Sequence, residues 1–164
     1  MSSLRKVLSW SILCLFLVPA VAVAQTGADK SEVMNAKSDG GSLIHRLTGD
    51  ELFGLLAKEG LVPERLKDTV IRVKMEMITV LFLVADDQES IQAYAGFKSD
   101  KANLSKINDW NRSKRYSRAY IDKDGDPVIE LDLDLVGGVT PARFVDFVKT
   151  VRVSVVQYMK HVFD

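Results

Sequence analysis

Asp122, Asp124, Asp126, Glu130, Asp132 and Asp134 put six carboxylates at alternate or near-alternate positions of one short stretch. Hard oxygen ligands at that spacing invite a calcium reading. An EF-hand loop needs oxygen ligands at its first, third and fifth positions, glycine at the sixth and glutamate at the twelfth. Counted from Asp122, the sixth position is Pro127 and the twelfth is Leu133, while glycine falls at the fourth. The EF-hand match fails. Asp124-Gly125-Asp126 then reads as turn chemistry, and Glu130, Asp132 and Asp134 as the polar face of a strand. No resident metal or other cofactor is expected.

Arg112, Arg115 and Arg118 form the second group with chemical capacity, because guanidinium groups bind planar oxyanions in a bidentate fork. The neighbouring acids offer them partners inside the chain, and internal pairing is the favoured reading. Trp110 and Asn111 suggest a recognition element, since aromatic anchors dominate many interfaces. Helical spacing from Leu104 and Ile107 favours a plainer role, with Trp110 plugging a sheet and Asn111 bonding the following turn. His45 and His161 are the only histidines, and neither has a catalytic setting. G-x-S-x-G, H-E-x-x-H, C-x-x-C and phosphate-binding glycine loops are all absent, so the expectation is a protein without enzymatic activity.

The 164 residues carry 22 basic and 22 acidic side chains and 47% hydrophobic residues. That length suits one domain with extras, and a formal charge of zero argues against nucleic acid as a partner. Residues 1–24 have the three parts of a secretory signal: Arg5 and Lys6, an apolar stretch from Val7 to Val18, and Ala22-Val23-Ala24 before Gln25. Cleavage after Ala24 is the expectation, with Pro19 and the small residues after it favouring removal over an uncleaved membrane anchor. Cys14 lies within the apolar stretch behind Ile12-Leu13, which does not suit a lipidated cysteine. The mature chain would hold no cysteine and a charge of −2, exported to the periplasm or secreted.

Residues 25–42 are polar and aperiodic, the composition of a tether, and the folded domain is expected over 43–164. Thr48 to Glu51 fits a capping box, and Leu52, Phe53, Leu55 and Leu56 continue a helix from Gly49 to about Glu59. Ile71 to Met77, Val80 to Ala85 and Ile91 to Lys98 read as a three-stranded antiparallel meander. Ser99 or Asp100 caps a second helix carrying Leu104, Ile107 and Trp110 or Asn111.

A hairpin of Tyr116–Asp122 and Val128–Val136 follows. Ile129, Leu131, Leu133 and Leu135 need Ala119 and Ile121 on their own face, which requires an odd loop, and Gly125 is taken as its third residue. That parity sets Arg118 opposite Glu130, and Tyr116 opposite Asp132. Thr140-Pro141 opens a long C-terminal helix running through Phe144, Phe147, Val151, Val155, Tyr158 and Val162. Val151, Val153 and Val155 also alternate like a strand, but length favours helix. Val145, Val153, Val156 and Phe163 lie off the main stripe, a surplus that suits a partner helix, a dimer or a bound peptide.

Ile107-Asn108-Asp109-Trp110-Asn111, Arg115 to Tyr120, Asp122 to Pro127, Glu130-Leu131-Asp132 and Gly137-Gly138-Val139-Thr140 together resemble the YbjN family of bacterial sensory transduction regulators. The resemblance spans roughly Leu47 to Phe163. It implies an α+β fold like that of type III secretion chaperones, whose relatives bind extended segments of other polypeptides, often as dimers. It also implies a regulatory or binding role, with no active site to carry over. Those chaperones act in the cytoplasm, whereas residues 1–24 send this domain out, so an envelope polypeptide, or a second copy of the chain, is the expected partner. Candidate contact residues are Trp110, Arg118, Glu130, Asp132, Asp134, Val153, Val156 and Phe163. The alternative is a sensor of a small molecule or metal, with Arg and Asp groups lining a pocket between sheet and helices.

Overall fold

The computed structural model describes residues 42–99 and 102–163. The expected signal segment and nearly all of the tether lie outside the described residues, as does Asp100. Three helices and six strands follow the order α1 (Gly49–Lys58), β1 (Glu64–Lys67), β2 (Val70–Met75), β3 (Ile78–Val84), β4 (Ser90–Gly96), α2 (Leu104–Ser113), β5 (Arg118–Ile121), β6 (Pro127–Asp134) and α3 (Pro141–Phe163). The strands form one antiparallel sheet in the order β1-β2-β3-β4-β6-β5. The fold is α+β, as expected.

Helix α1 begins where the sequence says it must. The Thr48 hydroxyl accepts from the Glu51 N–H, and the Glu51 carboxylate accepts from the Thr48 N–H at 2.8 Å. It ends in a Schellman motif: the Gly60 N–H donates to Ala57 O at 3.0 Å and the Leu61 N–H to Leu56 O at 3.2 Å. Gly60 stands at φ 74°, the left-handed backbone that this closure needs. Thr140 accepts from the Arg143 N–H at 3.1 Å and Pro141 opens α3. Val151 and Val155 are buried while Val153 is exposed, which is the four-residue repeat of a helix and not the two-residue repeat of a strand.

All three helices lie against one face of the sheet. Ile71, Val73, Phe82, Ala93, Leu131 and Ala119 from that face share a single core with Leu52 and Leu56 of α1, Ile107 and Trp110 of α2, and Phe144, Phe147, Val151 and Tyr158 of α3. Each large side chain fully buried there contributes about 1.5–3 kcal/mol. Phe82 and Phe147 meet edge to face at 6.4 Å, and Trp110 and Tyr158 at 5.1 Å.

Four features differ from expectation. The meander has a fourth strand, β1, before the expected three; Glu-Arg-Leu-Lys is exposed at every position, so it carries no apolar periodicity to read. Met77 is not in a strand. It occupies, with Glu76, a two-residue hairpin turn between the paired residues Met75 and Ile78, and is 94% exposed. Helix α2 is capped by Asn103, which accepts from the Lys106 N–H at 3.0 Å, and so starts later than Ser99 or Asp100 would place it. Leu104 is consequently exposed at the first turn, while Ile107 and Trp110 are buried. The fourth difference, at Tyr116, bears on the site below.

Glu76 and Met77 stand at φ 48° and 72°, a type I′ pattern that favours asparagine and glycine. Left-handed backbone costs a side-chain-bearing residue about 1–2 kcal/mol, and glycine returns about 0.5–1 kcal/mol of that as unfolded-state entropy. Met77→Gly is therefore expected to stabilise the domain by about 0.5–1 kcal/mol, read as a higher urea midpoint at unchanged slope.

Candidate functional site

The hairpin β5–β6 has the odd loop that side-chain parity requires. Asp122 and Asp126 close it, with the Asp122 N–H donating to Asp126 O at 2.9 Å, and Gly125 at φ 86° is the third of three loop residues. Arg118 then pairs with Glu130 and Ala119 with Ile129, as expected. The loop acids serve the turn: the Asp122 carboxylate accepts from the N–H groups of Asp124 and Asp126, both at 2.9 Å, and these bonds hold it below the usual carboxylate range. Asp126 is ion-paired with Lys98. Among the described residues no three histidine, cysteine, aspartate or glutamate side chains are grouped to hold a metal ion.

On the sheet face turned away from the helices, the register aligns Arg72, Leu81, Tyr94, Glu130 and Arg118 in one row across five strands. Glu130 is only 5% exposed, although its strand neighbours Asp132 and Asp134 are solvent-facing. Its oxygens are all engaged. Oε1 accepts from the Tyr120 hydroxyl at 2.7 Å, and Oε2 takes the Arg118 guanidinium, with Nε at 3.1 Å. Burial, reinforced by the hydrogen bond to Glu130 and its charge, pushes the Tyr120 phenol up to about 12. Burial, with the charges of Asp122 and Glu130, also raises Tyr94. Asp132 beside this cluster accepts from the Gln92 amide at 3.0 Å.

The remaining candidate residues have separate places. Trp110 is core, its indole N–H donating to Ser117 Oγ at 3.0 Å. Asn111 next to it binds both sides of one peptide position on β5, donating to Ala119 O and accepting from the Ala119 N–H, each at 2.9 Å. Val153 is 54% exposed, whereas Val156 and Phe163 are partly buried against the core, Phe163 facing Phe97 at 6.2 Å. His161 Nε2 lies 2.7 Å from Lys106 O, joining α3 to α2. Arg112 is ion-paired with Asp109, so the three arginines do not form a common clamp.

The fourth difference from expectation is that Tyr116 does not pair with Asp132. Strand β5 begins only at Arg118, because Tyr116 adopts φ 65° and turns the chain back toward α2. Ladder bonds tie β6 to β4 through its odd-numbered residues, as Phe97 N–H to Pro127 O and Leu135 N–H to Glu89 O show. Its even-numbered residues therefore face β5. Val128 and Glu130 find partners there, and the backbone groups of Asp132 and Asp134 have no strand partner among the described residues. A cavity of about 530 Å³ lies at this vacant edge, lined by Tyr116, Asp132, Arg143, Asp146, Phe147 and Thr150 among others. Sequence reasoning singled out Asp132 and Asp134 for their side chains, and missed that their main chain is what the fold leaves open. A larger cavity of about 590 Å³ includes Arg72 and Glu64, which neutralise each other in an ion pair.

A family profile, YbjN, described as "Putative bacterial sensory transduction regulator", matches residues 48–164. The fold is similar to that of YbjN from E. coli, "a putative transcription regulator" whose crystal structure matches with a TM-score of 0.60 and 19% identity over 71% of this chain and 91% of that one. No curated protein matches.

Two outcomes follow from the Glu130 cluster. Arg118→Ala is expected to cost about 1–3 kcal/mol by leaving a buried carboxylate short of its cation, and less in a Glu130→Gln background, as a double-mutant cycle in urea would measure. Because the Tyr120 phenol ionises later in the fold than in the unfolded chain, it supports stability below about pH 10, and this support should be lost as pH rises toward about 12. Tyr120→Phe should flatten that alkaline decline and remove the latest part of the spectrophotometric tyrosinate titration attributable to the open face.

Proposed function

The chain belongs to the YbjN family, and on that premise we propose that it is a non-enzymatic regulatory adaptor that captures an extended segment of another polypeptide on the vacant edge of β6. The observation that carries this reading is the unequal length of the last two strands. Strand β6 spans Pro127–Asp134, and its outer neighbour covers it only as far as Glu130. An incoming strand would continue the line that β5 abandons, exchanging main-chain bonds with Asp132 and Asp134 and resting on Tyr116. The residues at the junction are already held, Arg118 by Glu130 and Asp132 by Gln92, so the edge is presented ready-formed.

The other two edges suit this role less well. Strand β1 is short and carries Glu64, Arg65 and Lys67, charges that discourage pairing. The outward position of β5 at Ala119 is occupied by the Asn111 amide, which stands in for a strand partner. A signal segment at residues 1–24 makes the bacterial envelope the compartment of this reading, with export before capture. A second copy of the chain is the competing occupant, and the experiment distinguishes it.

The test replaces Asp132 with proline in the full-length chain, in its native host, with a photo-crosslinking amino acid at position 116. Proline removes an N–H that the fold does not use, so Asp132→Pro should cost far less stability than Leu131→Pro, which deletes a ladder bond. The expected result is a discrete crosslinked polypeptide lost in Asp132→Pro, with the Asp132 and Asp134 amides slowed in hydrogen exchange when that polypeptide is added back. An unchanged crosslink in the proline variant would overturn strand capture. A crosslinked band composed only of this chain would overturn the adaptor in favour of a dimer.

A further inference from the structure

On the helical side of Tyr116 lies a second cavity, of about 360 Å³, between the end of α2 and the middle of α3. Its floor is Trp110, and its walls include Lys114, Arg115, Tyr116, Lys149 and Val153. Three cations converge here without one carboxylate in the lining. The acids on the same two helices are engaged elsewhere, Asp109 by Arg112 and Asp146 by Arg143. Arg115 and Lys149 make no ion pair with a described residue, while Lys114 lies 5.6 Å from the centre of the Trp110 ring and donates to Gln157 Oε1 at 3.0 Å. Like charges brought together at a concave surface repel one another, and the arrangement is relieved by an anion.

Tyr116 adds the second half of a recognition site. It is 77% exposed and holds a left-handed backbone, in the turn that carries the chain from α2 into β5. What the conformation achieves is to stand a flat ring at the rim of the cationic cavity, with Val153 offering exposed apolar surface on the same lining. We infer that this cavity binds a phosphomonoester carried on a flat ring, the phosphate meeting Lys114, Arg115 and Lys149 and the ring lying against Tyr116. A phosphomonoester brings about 1.5–2 negative charges at neutral pH and three acceptor oxygens, which suits three separate donors better than a single carboxylate would. The site shares Tyr116 and Thr150 with the cavity at the β6 edge, but its cations do not line that cavity, and its test with a small phosphate does not depend on the polypeptide reading.

The experiment titrates the full-length chain with phenyl phosphate, following the Trp110 indole N–H by NMR, with inorganic phosphate and phosphatidylglycerol vesicles as parallel arms. Saturable movement of the Trp110 signal is expected, with affinity falling about tenfold or more in Arg115→Glu/Lys149→Glu. Both positions are exposed, so circular dichroism should be unchanged in that variant and Tm equal or higher, since the repulsion among the cations is relieved. Tyr116→Gly should weaken phenyl phosphate by about three- to tenfold while leaving Tm equal or higher, since glycine accepts the left-handed backbone. Inorganic phosphate should bind more weakly than phenyl phosphate. No saturable shift, or the same affinity in the charge-reversed variant, would overturn the site. Equal affinity for both phosphates with no effect of Tyr116→Gly would overturn the ring contact, and a response to vesicles alone would overturn a soluble ligand in favour of a lipid headgroup.

Discussion

Burial on one side of the sheet is the constraint from which the rest of this structure follows. Every helix delivers its apolar stripe to the same face, so Leu52, Leu56, Phe144, Phe147, Val151, Tyr158 and Trp110 compete for one core. Among the described residues no helix covers the opposite face, and its composition shows how a sheet survives that exposure. Leu81, Leu83, Tyr94 and Tyr120 remain partly exposed there, interleaved with Arg72, Gln92, Asp132 and Arg118. Glu130 is the exception that ties this face together. It is buried under Tyr120 and Arg118, and each of its neighbours satisfies an oxygen that would otherwise be costly to desolvate. Because the Arg118 side chain is largely exposed, the ion pair is partly screened, and the cluster's main effect is to lock the register of β5 on β6.

That locked register is what makes the early end of β5 consequential. A strand that slipped by two residues would cover Asp132 and leave only Asp134 open, but Arg118 on Glu130 and the three-residue loop at Gly125 both fix the pairing. Asn111 works in the same direction from the other side, occupying the outward backbone of Ala119. Tyr116 then has to leave the sheet at once to reach α2, and it does so through a left-handed turn. One aromatic residue in an unusual conformation thus separates a vacant strand edge from a cationic cavity.

Much of this fold was legible in the sequence because its signals were redundant. The α1 capping box, the Thr140-Pro141 start of α3 and the odd hairpin loop each combine a cap or turn residue with an apolar period that agrees with it. Parity, with Gly125 as the third loop residue, placed Arg118 opposite Glu130. What could not be read was anything that depended on a residue's departure from its period. Strand β1 has no buried side chain to announce it, the turn at Glu76-Met77 uses residues that do not favour the backbone they adopt, and Tyr116 continues the alternation of β5 in sequence while leaving it in space. The burial of Glu130 was hidden for a related reason, since alternation predicts a wet face and cannot foresee that two tyrosines on adjacent strands will close over one position of it.

The dimensions of the open edge also limit what it would do as a binding surface. Two residues, Asp132 and Asp134, offer main-chain groups to a partner, and hydrogen bonds of this kind contribute about 0.5–1.5 kcal/mol each after water is displaced. Such a sum falls short of the cost of fixing a flexible segment in place, about 1–2 kcal/mol per ordered residue. Side-chain contact with Tyr116 would therefore have to supply the surplus, so a partner with an apolar residue facing the 530 Å³ cavity would be preferred over one with none. An interaction balanced so closely would be readily reversible, and a modest change at Tyr116 would be enough to alter it, which is the behaviour that a regulatory adaptor requires and a permanent subunit does not.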